Sequence, residues 1–153
     1  MLPGWREKYD EMKRWRERLA EPMQGLDREA QNLRLLDYLH AFFAASLHLR
    51  DWLINDPSHP IPNGTASRVV SRSPSLMLCQ AIAVGAKHLR IDDPKLDPNA
   101  RLSVQTFAQT FGPLKFEASV AEVTASADGY DAIRLADDCI REWDQFLKGQ
   151  GLL

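Results

Sequence analysis

The chain has 153 residues, 44% of them hydrophobic and 26% charged, and its formal net charge is −2. These values are typical of one globular domain with its own core, and they argue against a strongly basic nucleic-acid-binding protein. The start carries no apolar signal region and no run reaches membrane-spanning length, so we expect a single cytoplasmic domain over residues 1–153 with no membrane association.

The first element predicted along the chain is an amphipathic helix. Apolar residues recur at helical spacing from Trp5 to Leu19, and the remaining positions carry charges of mixed sign. Proline cannot continue a helix, so Pro22 ends the pattern. We therefore expect an amphipathic N-terminal helix within residues 1–22, followed by the core of the domain over residues 26–148.

A long second helix is predicted from Leu26 to Ile54. Asp27 suits its first turn, where the helix dipole favours negative charge. The apolar arc of this helix is broad, which predicts contacts with more than one neighbour. The following stretch, residues 55–67, contains three prolines and an Asn-Gly pair, and we expect no regular element there.

A third helix is predicted from Pro74 to about Arg90. Ser73 has the side chain of an N-cap, and proline is favoured at the first helical position. The helix is apolar on almost every side, which predicts a central position in the core. The two cysteines, Cys79 and Cys139, each lie in an apolar helical pattern without a partner at metal-ligand spacing, so we expect buried free thiols.

The last third of the chain predicts a small sheet and a final helix. Apolar and polar residues alternate from Leu114 to Val120, which indicates a strand, and its partner is expected within Leu102–Phe111 as a hairpin. The last helix is expected from Tyr130 to Leu147. The predicted fold class is therefore mainly α: a bundle of about four main helices with a small β-hairpin before the last.

The most unusual residue is Arg50, in the segment SLHLRDWLIND. At 100° per residue it falls in the same sector of the second helix as Leu39, Phe43 and Ile54, so we expect it to be largely buried. An unpaired buried guanidinium is too costly to persist. Either Arg50 pairs with an acid on another helix, such as Asp138 or Glu117, or it lines a pocket and holds a phosphate.

Two histidines accompany Arg50 as candidate catalytic residues. His88 lies on the shoulder of the third helix, and His48 lies one turn from Trp52. A histidine can transfer protons near neutral pH, so either one can serve a phosphate held by Arg50, with Lys87 and Arg90 as further phosphate-binding residues. The alternative is that His88 is a half-buried structural side chain. No cofactor is indicated, and no metal site is predicted.

Three segments resemble a group of short bacterial proteins of unknown function. They are HLRDWL, the pattern C-x-x-I-A-x-G-x-K-H that ends at His88, and LADDCIREWDQFL in the final helix. More remotely, the helical layout is similar to the HEPN superfamily. That similarity implies a dimeric helical protein and, in many members, a metal-independent ribonuclease of toxin–antitoxin or anti-phage systems. Arg34 and His40 have the linear spacing of the HEPN signature, but we favour pairing Arg50 with His88 through space.

Two functions follow, and the sequence does not decide whether the protein is an enzyme. The first is a non-catalytic helical interaction module of a bacterial or phage defence or toxin-type system, which binds an antitoxin-like protein or a second copy of itself. The second is a HEPN-like ribonuclease that cleaves RNA with Arg50 and a histidine.

Overall fold

The computed structural model describes residues 4–87, 95–111, 113–125 and 128–153. Within those residues the protein is mainly helical, with a small antiparallel sheet, as predicted. In chain order the elements are α1 (Trp5–Leu19), α2 (Arg28–Asn55), α3 (Thr65–Arg72), α4 (Pro74–Lys87), β1 (Arg101–Phe111), β2 (Leu114–Ala125), β3 (Asp128–Asp131) and α5 (Ala132–Gly149).

Side-chain caps fix where three of the helices begin. Asp27 accepts a hydrogen bond from the Ala30 backbone N–H (2.8 Å) at the start of α2. The predicted cap of α4 is confirmed, because the Ser73 hydroxyl oxygen accepts from the Leu76 N–H at 3.2 Å. Asp131 likewise caps α5. Each cap satisfies a backbone donor that the first helical turn leaves without a partner.

The helix α3 was not predicted. We expected no regular element through residue 67, but α3 begins at Thr65. All three prolines of the stretch precede that point, and Gly64 turns the chain with a φ of 76°, a value that glycine adopts without strain. Ala66 and Val70 of α3 are buried, so contact with the core stabilises a helix of only eight residues.

The predicted hairpin is present and longer than expected. β1 and β2 pair along their whole length, with Leu102 opposite Val123. A third strand, β3, was missed because its sequence Asp-Gly-Tyr-Asp reads as a turn. It forms by pairing with the end of β2, where Tyr130 lies opposite Val123, and leads directly into α5.

The core is built around α2, whose side chains contact α1 on one side and α4 and α5 on others. This agrees with the broad apolar arc of α2. The fully buried large side chains come from α1, α2 and α5 for the most part: Trp5, Met12, Leu39, Phe42, Phe43, Leu49, Leu53, Trp143 and Leu147. The N-terminal helix is therefore an integral part of the core.

Polar contacts tie the three helices together. The Trp143 indole N–H of α5 donates to the buried Ser46 hydroxyl of α2 at 2.9 Å. The Tyr9 hydroxyl of α1 donates to the Asp144 carboxylate at 2.7 Å, and burial together with that carboxylate raises the pKa of Tyr9 above its usual range. Arg16 and Asp137 add a two-pronged ion pair between α1 and α5.

Both cysteines are free and buried, as predicted. They lie close together: a hydrogen bond that the Cys139 thiol donates to the Cys79 sulfur, followed by burial, raises the pKa of Cys139 well above its usual value. The Cys139 thiol also approaches the Ser75 carbonyl oxygen of α4 at 3.5 Å. The pair therefore marks a close contact between α4 and α5, in which Cys139 stays a protonated thiol at neutral pH.

Candidate functional site

Arg50 is held by two neighbours, one on its own helix and one on α4. Its Nε and Nη2 atoms donate to Oδ1 of Asp51 at 2.9 and 2.7 Å. Its Nη1 atom donates to the Gln80 side-chain oxygen at 2.7 Å. The Arg50 side chain is 23% exposed, so it is partly rather than largely buried. The expected carboxylate contact is confirmed.

The acid that pairs with Arg50 was assigned wrongly. Asp138, which we considered as the partner, accepts instead from Arg141 at 2.6 Å, and the side chain of Glu117 lies outside the part of the chain that the structure describes. The partner is the adjacent Asp51. Successive residues on a helix point about 100° apart, but the long arginine side chain bends back far enough to reach its neighbour.

The space beside Arg50 is small. A cavity of about 10 Å³ lies between α2, α3, α4 and α5 at this point. That volume holds about one water molecule at most. It is lined by Ser46, Leu47, Arg50, Val70, Leu76, Cys79, Gln80 and Trp143. The enclosed space beside Arg50 is therefore too small for a phosphate group, and phosphate binding at the exposed part of its side chain stays a prediction.

The other predicted site residues are not brought together with Arg50. His48 is exposed on α2. His88 and Arg90 lie outside the described residues, as does the side chain of Lys87, so the pairing of Arg50 with His88 stays a prediction.

Arg34 and His40, which share the HEPN spacing, lie in different environments on α2. Arg34 is exposed, whereas His40 is partly buried. Burial lowers the pKa of His40, although the nearby charge of Asp37 opposes that shift. The His40 Nδ1 atom is buried and has no hydrogen-bond partner among the described residues. These features indicate a neutral imidazole in the protein interior rather than a residue paired with Arg34.

An open groove lies one turn beyond Arg50, where the end of α2 meets the start of α1. Its volume is about 460 Å³. We call it the Trp52 groove and define it by its lining residues: Gly4, Asp51, Trp52, Asn55, Asp56, Pro57 and Ser58. Binding pockets in proteins commonly have volumes of about 300–1,000 Å³. The groove is therefore large enough to hold a side chain or a short segment of a partner.

Asp56 holds the groove together. One oxygen of its carboxylate, Oδ2, accepts from the Trp5 backbone N–H at 3.1 Å, and the other, Oδ1, accepts from the Ser58 N–H at 2.8 Å. These two hydrogen bonds, that from Ser58 first, lower the pKa of Asp56, so the carboxylate is ionised at neutral pH. Asp56, the residue directly after α2, thus caps the start of α1. At that end of α1 the helix dipole favours the negative charge of the carboxylate.

Gly4 allows this close approach. A Cβ atom added at Gly4 would lie 2.8 Å from Oδ2 of Asp56, closer than real Cβ contacts occur. A side chain at residue 4 would therefore force the Asp56 carboxylate to shift from the position in which it accepts from the Trp5 N–H.

Trp52 supplies the aromatic surface of the groove. Its ring is partly buried against the core, and the Lys8 ammonium lies 5.8 Å from the ring centroid. That distance is within the range in which an aromatic face attracts a cation. Beside the ring, the Asp51 side chain is 47% exposed. An aromatic face next to carboxylates is the combination of groups that binds lysine, arginine and alkylammonium ions.

Two other grooves carry charges of both signs. The groove between α3 and α5, about 290 Å³, is lined by Arg68, Arg72 and Glu142 among others. The groove between α4, β3 and α5, about 450 Å³, includes Arg134 and Asp138. In the Trp52 groove, by contrast, the charged lining residues are Asp51 and Asp56, both acidic.

No family model matches this chain, and no curated protein or solved structure matches it significantly. Within the described part, no helix is long and apolar enough to cross a membrane. The same residues include no group of three or more His, Cys, Asp or Glu side chains suited to hold a metal ion.

Trp52 was not predicted to be a binding residue. The groove depends on the approach of Gly4 and Asp56, which are more than fifty residues apart in the chain. A usable signal was present in the segment DWLINDPS, where a tryptophan lies between an acid and an Asp-Pro that ends the helix.

Proposed function

We propose that this protein is a non-catalytic interaction module whose partner binds in the Trp52 groove. The observation that supports the proposal is the groove itself: about 460 Å³ of open space beside a partly exposed indole. Tryptophan is enriched among the few residues that dominate binding energy at interfaces, since it offers a large apolar area with a polar edge.

The resemblance to short bacterial proteins and to the HEPN superfamily suggests the setting of this module. It is a bacterial or phage defence or toxin-type system, in which the partner is an antitoxin-like protein or a second copy of the chain. The ribonuclease alternative depends on Arg50 and a histidine. The contacts of Arg50 with Asp51 and Gln80 favour a structural role for that arginine, which is why we place the interaction module first.

The test is site-specific crosslinking with the full chain. A photo-crosslinking residue is introduced in place of Asn55, at the rim of the groove, and in a matched control in place of Glu29, an exposed position near the other end of α2. We expect a discrete crosslinked product from the Asn55 position that is absent from the Glu29 position. Equal labelling from both positions would contradict the proposal.

The captured partner is then purified, and its affinity is measured by calorimetry. We expect Trp52→Ala to weaken binding by more than about tenfold, as loss of a tryptophan at the centre of an interface commonly does. An RNA cleavage assay of the wild-type protein and of Arg50→Ala addresses the alternative. Cleavage that disappears in a folded Arg50→Ala variant would favour the ribonuclease.

A further inference from the structure

The charge of the Trp52 groove points to the chemistry of its occupant. Asp56 is held ionised by two backbone hydrogen bonds, which lower its pKa. Asp51 is also acidic, and both hydrogen bonds from Arg50 end on the same oxygen, Oδ1. The second oxygen of Asp51 lies outside that pair on a side chain that is 47% exposed. Arg50 balances the charge of Asp51, so the negative charge that the groove offers comes chiefly from Asp56, with the second oxygen of Asp51 as a further acceptor.

The size of the groove indicates more than a single small ion. A volume of about 460 Å³ greatly exceeds that of an ammonium group, so there is room for an extended side chain together with part of its backbone. Arginine and lysine have apolar stems that pack on a ring while their charged ends reach a carboxylate. In the groove, the partly exposed face of Trp52 suits the apolar stem of such a side chain. The neighbouring Asp51 suits its charged end.

We propose that the occupant of the Trp52 groove is a basic segment of a protein partner, which inserts an arginine or lysine side chain between Trp52 and the carboxylates of Asp51 and Asp56. This inference rests on the proposed function, because it names the chemistry of the partner that the interaction module binds. Charge complementarity supports this occupant: the charged lining residues are acidic, and the Trp52 ring already has one cation, the Lys8 ammonium, 5.8 Å from its centroid.

The probe is an amidated hexa-arginine peptide, added to the isotope-labelled full chain. The Trp52 indole N–H resonance reports binding at the groove, and calorimetry gives the affinity. We expect hexa-arginine to shift that resonance with a saturable affinity that weakens as salt is added, because the contacts are largely electrostatic. A hexaglutamate peptide of the same length should leave the resonance unchanged.

Variants at Asn55 test the role of charge at the rim of the groove, where the Asn55 amide donates to the Asp51 carbonyl oxygen at 2.7 Å. Asn55 is exposed and lines the groove, so Asn55→Lys introduces a positive charge there, whereas Asn55→Gln alters the side chain without adding charge. We expect Asn55→Lys to weaken hexa-arginine binding by about tenfold and Asn55→Gln to weaken it clearly less. Glu17→Gln removes an exposed carboxylate from α1 outside the groove and should leave the affinity unchanged.

Three results would overturn the inference. One is that hexa-arginine does not bind, or binds equally well to Asn55→Lys, which would place its contacts elsewhere on the acidic surface. Another is that Trp52→Leu, shown by its melting curve to be folded, binds with unchanged affinity. The third is that tetramethylammonium chloride binds as tightly as the peptide, which would indicate a small-cation site.

The crosslinking experiment separates this inference from the proposed function. If the partner captured at Asn55 contacts the groove through a segment without arginine or lysine, the basic-segment inference is wrong and the interaction module stands. If no partner contacts the groove although hexa-arginine binds there, the proposed function is wrong.

Discussion

Two regions on neighbouring turns of α2 differ in whether their charged side chains are enclosed or border open space. At Arg50 the guanidinium is bonded to Asp51 and Gln80, and the remaining space is about 10 Å³. At Trp52 and Asp56, a turn further on, the helix borders an open groove of about 460 Å³. The first region is closed by internal hydrogen bonds, while the second presents carboxylates to solvent.

The difference shows why an unusual residue is not by itself a site. A charged side chain on a packed face of a helix is tolerated only if its hydrogen-bond donors have acceptors. At Arg50 those acceptors are Asp51 and Gln80 of the protein itself. The Trp52 groove arises where two chain segments meet without filling the space between them. Asp51 is paired with Arg50, but the charge of Asp56 remains available, because backbone N–H groups rather than basic side chains hold its carboxylate.

The largest effect is expected at Leu53, which follows Trp52 in sequence, faces the core and is 1% exposed. Leu53→Ala should lower the free energy of unfolding by about 3 kcal/mol, since it removes buried methyl groups and leaves a cavity. Chemical denaturation measures the loss. A loss below about 1 kcal/mol would mean that the end of α2 packs less tightly than the structure indicates.

Arg50→Ala should have the next largest effect. It leaves the side chain of Gln80 without its partner and removes the packed stem of the arginine, at a cost of about 2 kcal/mol. Binding of hexa-arginine to the groove should persist or tighten, because Asp51, which lines the groove, loses the cation that balances its charge. Arg50→Lys serves as the control: it keeps the charge but cannot reproduce the three hydrogen bonds, so most of the stability loss should remain.

A folded Arg50→Ala variant with unchanged stability would show that the hydrogen bonds of Arg50 do not stabilise the fold. If the same variant also lost RNA cleavage that the wild-type protein performs, Arg50 would belong to a functional site after all.

Asp56→Ala should have a smaller effect, about 1 kcal/mol, because it removes the cap of α1. The pH dependence provides an independent check. The pKa of Asp56 is lowered in the folded state, so its contribution to stability is present above its unfolded pKa and is lost as the pH falls through the folded value. The difference in unfolding free energy between wild type and Asp56→Ala should therefore shrink below about pH 4.

Asp56→Asn keeps an acceptor oxygen but removes the charge, so it should be less destabilised than Asp56→Ala at neutral pH. A wild-type advantage that stays constant from neutral to acidic pH would show that the carboxylate charge contributes nothing to the cap.

The sequence predicted those elements whose signals are local. Ser73 followed by proline indicated the start of α4, and alternation from Leu114 indicated the strand β2; both are confirmed. The helix α3 and the strand β3 were missed because contacts with the rest of the fold stabilise them. Ala66 and Val70 are buried in the core, and β3 forms by pairing with β2.

The candidate site was less predictable for a similar reason. Helical phase placed Arg50 near the core, and its partial burial and carboxylate contact agree with that placement. Helical phase did not reveal that the carboxylate bound to Arg50 belongs to the next residue, Asp51. It also did not reveal that Gly4 contacts Asp56, which lies more than fifty residues away in the chain. Phase also placed Ile54 in the core beside Leu39 and Phe43, and this was wrong, because Ile54 is 48% exposed whereas the other two are fully buried.

Ile54 therefore provides the smallest expected effect and a direct test of where the core ends on α2. Leu53 faces the core, whereas Ile54, about 100° further around the helix, has a side chain that is 48% exposed. Ile54→Ala removes apolar surface that is already half hydrated, so we expect a change in unfolding free energy below about 0.5 kcal/mol. Leu53→Ala, measured in the same denaturation series, makes a comparable truncation one position earlier and should cost several times more. If the two variants lose similar stability, the last turn of α2 is covered on both faces, in disagreement with the exposure of Ile54. If only Leu53→Ala is destabilised, the core covers one face of that turn and leaves the Ile54 face in solvent, because the two side chains point about 100° apart.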